Sequence, residues 1–343
     1  MPTVSCAFDA GAIEVLSTAS ATDIRLAIRA DSHADFRQWF HFRLQGVRGE
    51  ACVLRFENAG TCTYAGGWKD YSVVASYDRK RWFRVPTSYD GNVMSVAHTV
   101  ERDSIYYAYF EPYTWERHLA LLGRAEDSPL ARVTRLGATV EGRDLDLVTI
   151  GTPAAGKDVV WIIARQHPGE TMAEWFVEGM VEALLDPADA VSRTLLQRAV
   201  FHLVPNMNPD GSVRGNLRTN AAGANLNREW VEPSLERSPE VFLVREAIRR
   251  APPTIFLDVH GDEVLPYVFV AGNEMLPELD PVQLTMQQSF CDAFRRASPD
   301  FQTVHGYGAG KYNADALKLA SKFVAFTYRK LALTLEMPFK DNA

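Results

Sequence analysis

Cysteine is scarce in this 343-residue chain and forms no pattern: Cys6, Cys52, Cys62 and Cys291 include no CxxC pair, and three of them sit in the first fifth. A disulfide framework needs more cysteine in a smaller domain, so buried or incidental thiols in a reducing cytoplasm are expected. Basic residues are also in deficit. With 36 Lys and Arg against 43 Asp and Glu, the net charge is -7, and no nucleic-acid partner is expected without a basic stripe. No uninterrupted apolar run approaches the ~20 residues that span a bilayer, so no membrane segment is expected. The opening Met1-Pro2-Thr3-Val4 leads into neither the basic segment nor the apolar core of a signal peptide. Internal repeats and low-complexity linkers are lacking, so the parts of the chain should pack together.

What is present is an ordinary globular balance, 47% apolar and 23% charged, over a length that suits two domains. The first ~110 residues read as β structure. Alternation runs through 23–29, 36–44, 51–56 and 71–77, with Gly, Asp or Asn between the runs and a hairpin tip at Tyr77–Trp82. Ser104–Phe110 reads as a last strand. Short strands separated by turn signals imply an all-β sandwich over residues 1–114.

From Trp115 onward the pattern changes to strands alternating with helices. Strands are expected at 145–150, 159–164, 200–204, 255–259 and 331–335, and helices at 115–123, 171–185, 239–250, 282–297 and 314–328. Apolar strands interleaved with amphipathic helices predict an α/β domain over 115–343, a mixed, mostly parallel sheet flanked by helices.

His167 and Glu170 follow the apolar run Trp161-Ile162-Ile163-Ala164 and precede a helical stretch, and His260 ends the strand Leu257-Asp258-Val259. Two imidazoles and one carboxylate are the ligand set of a catalytic zinc with an open fourth position. All three lie at carboxyl ends of expected strands, where open α/β sheets place their sites. Glu336 has the same address. A carboxylate ending the apolar run Leu331–Leu335 needs a partner, and beside a metal-bound water it would serve as general base. Between the ligands, a turn-dense loop runs from Pro205-Asn206-Met207-Asn208-Pro209-Asp210-Gly211 through Arg218 to Asn225-Leu226-Asn227-Arg228. Its arginines suit binding of a carboxylate and stabilisation of an oxyanion.

HPGE, NPDG, RGNLRTNAAGANLNREW, DVHGDE and LTLEMPF, in that order, resemble the M14 zinc carboxypeptidases, and within them the cytosolic carboxypeptidases, which carry a β-sandwich before the catalytic domain. The resemblance implies one zinc per chain on His167, Glu170 and His260, with Glu336 as general base. It implies that Arg218 polarises the scissile carbonyl, and that Asn227 and Arg228 grip the terminal carboxylate of a peptide or protein C-terminus. It further implies a tyrosine capping the substrate. Tyr312 is the nearest candidate, with Tyr307 behind it. Removal of C-terminal glutamate is implied by the subfamily, and Lys311, Lys322, Arg329 and Lys330 are the cations that could receive it. The chain ends seven residues after Glu336, where the resemblance implies a further C-terminal segment.

Two other readings stay open. A zinc N-acyl amino acid hydrolase of the aspartoacylase type uses a related HxxE…H framework, although the NPDG-to-NLNR layout speaks for the peptidase. A non-catalytic peptide-binding module is opposed by the complete ligand set and intact Glu336. The other histidines, His118 among them, show no ligand spacing and read as structural or exposed.

Overall fold

The computed structural model describes residues 1–273, 276, 278, 280–308 and 315–342. Ten strands come first: β1 (Thr3–Ser5), β2 (Glu14–Ser20), β3 (Asp23–Ala27), β4 (His41–Gln45) and β5 (Ala51–Phe56). They continue with β6 (Val74–Ser76), β7 (Phe83–Arg84), β8 (Thr87–Tyr89), β9 (Met94–Thr99) and β10 (Ser104–Ala108). Two five-stranded sheets result, in the orders β1-β4-β10-β6-β7 and β2-β3-β5-β9-β8. Alternate residues of each turn inward. Phe42 and Leu44 of β4 and Tyr107 of β10 share one core with Leu26 of β3 and Leu54 and Phe56 of β5. Removing each such side chain from water is worth about 1.5–3 kcal/mol, which is why the period of two fixes the register here. The expected strand at 36–44 is shorter than its pattern. Trp39 and Phe40 are buried but not in a strand.

The second part combines strands and helices as expected, and adds a helix at Ala190–Arg198 that the sequence pattern did not indicate. Its strands are β11 (Ala131–Ala138), β12 (Asp144–Ile150), β13 (Asp158–Ala164), β14 (Ala199–Val204), β15 (Ile255–Asp262), β16 (Phe269–Ala271) and β17 (Leu331–Pro338). Its helices are α1 (Trp115–Glu126), α2 (Met172–Leu185), α3 (Ala190–Arg198), α4 (Pro209–Arg214), α5 (Pro239–Arg250), α6 (Pro281–Ala297) and α7 (Ala320–Tyr328). The sheet order is β11-β12-β14-β13-β15-β17-β16. The four central strands are mutually parallel and the edges antiparallel. Helices cover both faces. Leu121 of α1 and Val177 and Val181 of α2 pack with Ile162, Leu203 and Leu333, while Val244 of α5 and Val324 of α7 pack with Trp161, Phe256 and Ala332.

Three differences from expectation have physical causes. The helix expected over 314–328 is broken: a 3-10 turn at Ala316–Lys318 is followed by Leu319 in extended conformation, and α7 starts at Ala320. The Asn227 side chain satisfies an amide freed by that start, its Oδ1 accepting from the Ala320 N–H at 2.9 Å. The NPDG segment contains a short helix. Asn208 caps it by accepting from Gly211, Pro209 takes the first turn where no N–H is needed, and left-handed Gly215 ends it. Strands β11 and β16 lie at the sheet edges, and charged, bulged β11 shows no apolar run.

Behind the turn that carries His167, Arg165 adopts φ +58, a conformation that costs an L-residue energy and persists only where its surroundings impose it. They do. The buried Arg165 guanidinium donates to Pro168 O (3.0 Å), Tyr113 O (2.8 Å) and Glu174 Oε2 (2.6 Å). His118 of α1 meets the other oxygen of Glu174 at 2.7 Å. Burial disfavours the His118 cation, but Glu174 and Asp146 outweigh it and raise its pKa from 6.5 to about 9. A group raised on folding stabilises fully below its unfolded pKa, and that contribution fades as pH climbs through the folded value. Thermal stability is therefore expected to decline between about pH 6.5 and 9 in the wild type, and His118→Gln to flatten that window. Scanning calorimetry across pH checks it, and identical slopes for both proteins would refute the assignment.

Candidate active site

The strand-to-helix turn after β13 and the end of β15 bring His167, Glu170 and His260 together as a buried cluster that could hold a metal ion, their donor atoms all within 4.8 Å. His167 Nδ1 lies 2.7 Å from Glu170 Oε1, His260 Nδ1 2.7 Å from Glu170 Oε2, and the two Nδ1 atoms 3.1 Å apart. Donors bound at ~2.0–2.1 Å around a tetrahedral zinc sit roughly 3.3 Å from one another, so the set fits such an ion.

The far nitrogens are tied down. His167 Nε2 meets Asn225 Oδ1 at 3.1 Å and His260 Nε2 meets Asp258 Oδ2 at 3.0 Å, which directs each Nδ1 lone pair inward. Asp258 also accepts from Gln166 Nε2 at 2.8 and 2.9 Å, and Gln166 Oε1 accepts from Trp230 Nε1 at 2.9 Å. Sequence reasoning did not give Asn225, Asp258 or Gln166 a role. Asp258 carried a signal, since a residue two before His260 on one strand shares its face. Burial and nearby Arg218 push the His167 pKa down to about 3, keeping that imidazole neutral as a ligand must be. Burial works against the His260 cation too, yet Asp258 and Glu170 overcome it, and they mark a place that draws positive charge.

A cavity of about 360 Å³ opens onto this cluster, lined also by Glu336, Arg218, Asn227 and Arg228. Glu336 sits beside His260 in the β15–β17 register. Its Oε2 is buried without a hydrogen-bond partner among the described residues. Burial pushes its pKa up to about 8, with His260 pulling down and Glu170 and Asp262 reinforcing the rise. Arg218 is half-buried, its guanidinium 5.8 Å from the Phe36 ring and 5.6 Å from the Tyr64 ring. Asn227 spends its Oδ1 on α7 and brings Nδ2 to 3.3 Å from His260 Nε2. Arg228 donates to Asn227 O at 2.7 Å.

Tyr312 and Lys311 lie outside the described residues. Tyr307 lines the cavity and donates to Asp262 Oδ2 at 2.9 Å. Of the other cations considered for glutamate, buried Lys322 lines the cavity while Arg329 and Lys330 are exposed. Tyr64 and Glu263 also line it; neither was given a role from the sequence, although Glu263 closes the DVHGDE motif.

A cytosolic carboxypeptidase N-terminal domain is matched over residues 4–110 and a zinc carboxypeptidase domain over residues 120–342. The class is thus a metallocarboxypeptidase, a hydrolase of peptide bonds. The chain belongs to the M14 zinc carboxypeptidase family, with the cytosolic carboxypeptidase arrangement of two parts. Among solved structures, a metallo-carboxypeptidase from Burkholderia cenocepacia is 60% identical with TM-score 0.98, over 100% of this chain and 92% of that one. One from Pseudomonas aeruginosa, solved with (2-guanidinoethylmercapto)succinic acid, is 44% identical with TM-score 0.94, over 99% and 91%. Mouse cytosolic carboxypeptidase 6 is 28% identical, over 98% of this chain and 67% of its own length. No helix among the described residues is long and apolar enough to cross a membrane.

Proposed function

We propose that the protein is a zinc exopeptidase that removes single residues, glutamate above all, from free C-termini of peptides or proteins. The observation that carries this is the convergence of three metal-type donors, one buried carboxyl and two arginines on one cavity. His167, Glu170 and His260 would hold one zinc, which supplies Lewis acidity and lowers the pKa of water. Arg228, with Asn227 beside it, receives the substrate's terminal carboxylate through charged hydrogen bonds. Glu336 takes the proton of the attacking water at its carboxylate and returns it to the departing amine. Arg218 meets the oxyanion as it forms. The division we propose is a sandwich at 1–114 and a catalytic domain at 115–343. A cytoplasmic location fits the free cysteines and the name of the mouse relative.

Glutamate is favoured by Lys322. An acidic side chain entering a closed pocket needs a cation there, because an unpaired buried charge is costly. Lys322 supplies one from the cavity wall, its Nζ 3.3 Å from Ala271 O. Peptides ending in Glu, Lys, Leu or Phe, each as free acid and as amide, test the reading by mass spectrometry. Glu free acids are expected to be cut fastest and amides hardly at all. Equal cleavage of acid and amide would refute the exopeptidase reading, and fastest release of Leu or Phe the glutamate preference. Arg228→Ala should mainly raise KM for free acids, because that contact exists in ground and transition states alike.

A further inference from the structure

We infer that Asp31 of the N-terminal sandwich is a positioning residue for the reaction, its carboxylate fixing the loop that aims Arg218 into the catalytic cavity. The inference rests on the oxyanion role proposed for Arg218. Asp31 is buried and lies 186 residues from its first partner in sequence. Its Oδ1 accepts the Leu217 N–H at 2.6 Å. Its Oδ2 accepts the Arg218 N–H at 2.8 Å, the Thr219 N–H at 2.9 Å and the Thr219 hydroxyl at 3.1 Å. Three successive amides thus point at one carboxylate, so the backbone on both sides of Arg218 is held by a residue from the connection between β3 and β4. Without it these buried N–H groups would have to find other acceptors, and the loop would move to reach them.

The same stretch of sandwich grips the loop elsewhere. Ser32 donates through N and Oγ to Asn216 Oδ1 at 3.1 and 3.2 Å, and Asn216 Nδ2 donates to Thr219 O at 3.0 Å. Phe36 and Tyr64 lie against the Arg218 guanidinium. Gly223, at φ +75, lets the chain approach so closely that a Cβ would stand 2.4 Å from His33 O. On its other side the loop backs the turn that carries two of the proposed ligands, since Leu217 O accepts from Gly169 N–H at 2.8 Å. Asp31 therefore connects the sandwich through residues 217–219 to the turn between His167 and Glu170. Arg218 has a long side chain, and a small shift of its backbone is enough to lose alignment with a developing oxyanion.

Asp31→Asn tests this. Asparagine keeps one oxygen but turns the other position into a donor facing N–H groups. With Glu-ending free-acid peptide, kcat is expected to fall about tenfold to a hundredfold, the scale of an ångström-sized misplacement. KM should stay within about threefold because the carboxylate grip is elsewhere, and zinc content should be unchanged because the three donor side chains are braced by Asn225, Asp258 and one another rather than by Asp31. A phosphonate mimic of the tetrahedral intermediate should lose affinity in step with kcat/KM. The decisive arm is the Arg218→Ala background, where Asp31→Asn should cost less than about threefold more, since residues acting as one unit are not additive. Equal losses in both backgrounds would make Asp31 a purely structural tie and overturn the proposal. Thr219→Val removes one donor and spares the rest, and its cycle with Arg218→Ala carries the test should Asp31→Asn not fold. An unaffected Asp31→Asn beside a slowed Arg218→Ala overturns only this inference. An unaffected Arg218→Ala overturns the oxyanion reading and this one with it.

Discussion

Glu336→Gln is expected to keep the fold and the metal while losing on the order of 10²–10⁴ in kcat, the usual worth of a positioned acid–base group. Gln fills the same space at the end of β17 and preserves the strand's pairing with β15, so neither register nor cavity shape should change. What it cannot do is take a proton. The native carboxyl can: burial strengthens its hold on a proton, raising its pKa to about 8, and its Oε2 has no partner among the described residues. Such a group is costly to the fold in its charged form, so replacing it should leave Tm level or higher. Lower activity with higher Tm is the expected signature of a residue kept for chemistry. Elemental analysis, Tm and kcat on one preparation check all three points. Retention of more than about a tenth of wild-type turnover would mean that another group is the base.

The central strands were legible because a parallel strand buried on both faces is nearly continuous in apolar residues, as 159–164 is, and as 200–204 and 331–335 are apart from His202 and Thr334. The metal-type donors were legible because ionisable residues ending such runs are conspicuous. Edge strand β11 was not, since an edge need not be apolar, and β16 was not because its three residues, apolar as they are, make too short a run to show a period. The helix expected at 314–328 is interrupted by extended Leu319, and the first amide after the break is bound by Asn227, some ninety residues earlier and visible only in three dimensions. The short helix α4 could have been read from Asn208-Pro209, a cap followed by proline at the first turn, but its six residues show no periodicity. Asp31 lay beyond reach. Nothing in the local pattern of an aspartate before Ser32 says that its partners are 217–219. The sandwich was legible as a sandwich, and its hold on the loop at 217–219 only as structure.

His260→Ala is expected to lose most bound zinc and nearly all activity. His260 carries one of three donors, and it is the best braced: Nδ1 faces Glu170 Oε2 at 2.7 Å, Nε2 faces Asp258 at 3.0 Å, and the next amide, Gly261 N, donates to Glu170 Oε2 at 3.0 Å. Its removal leaves one imidazole and one carboxylate, too few to hold zinc against water and buffer. The bracing predicts a graded series. Asp258→Ala keeps all three donors but frees the ring, which typically weakens metal binding about 10–100-fold. Binding only to the folded arrangement also stabilises it, so a chelator should lower Tm of the wild type, lower that of Asp258→Ala at smaller doses, and leave His260→Ala unmoved. Zinc content after dialysis against graded chelator, read beside Tm, gives the order. Full zinc occupancy in His260→Ala would sink the ligand assignment. An Asp258→Ala protein as retentive as wild type would show that the carboxylate behind His260 does not orient it.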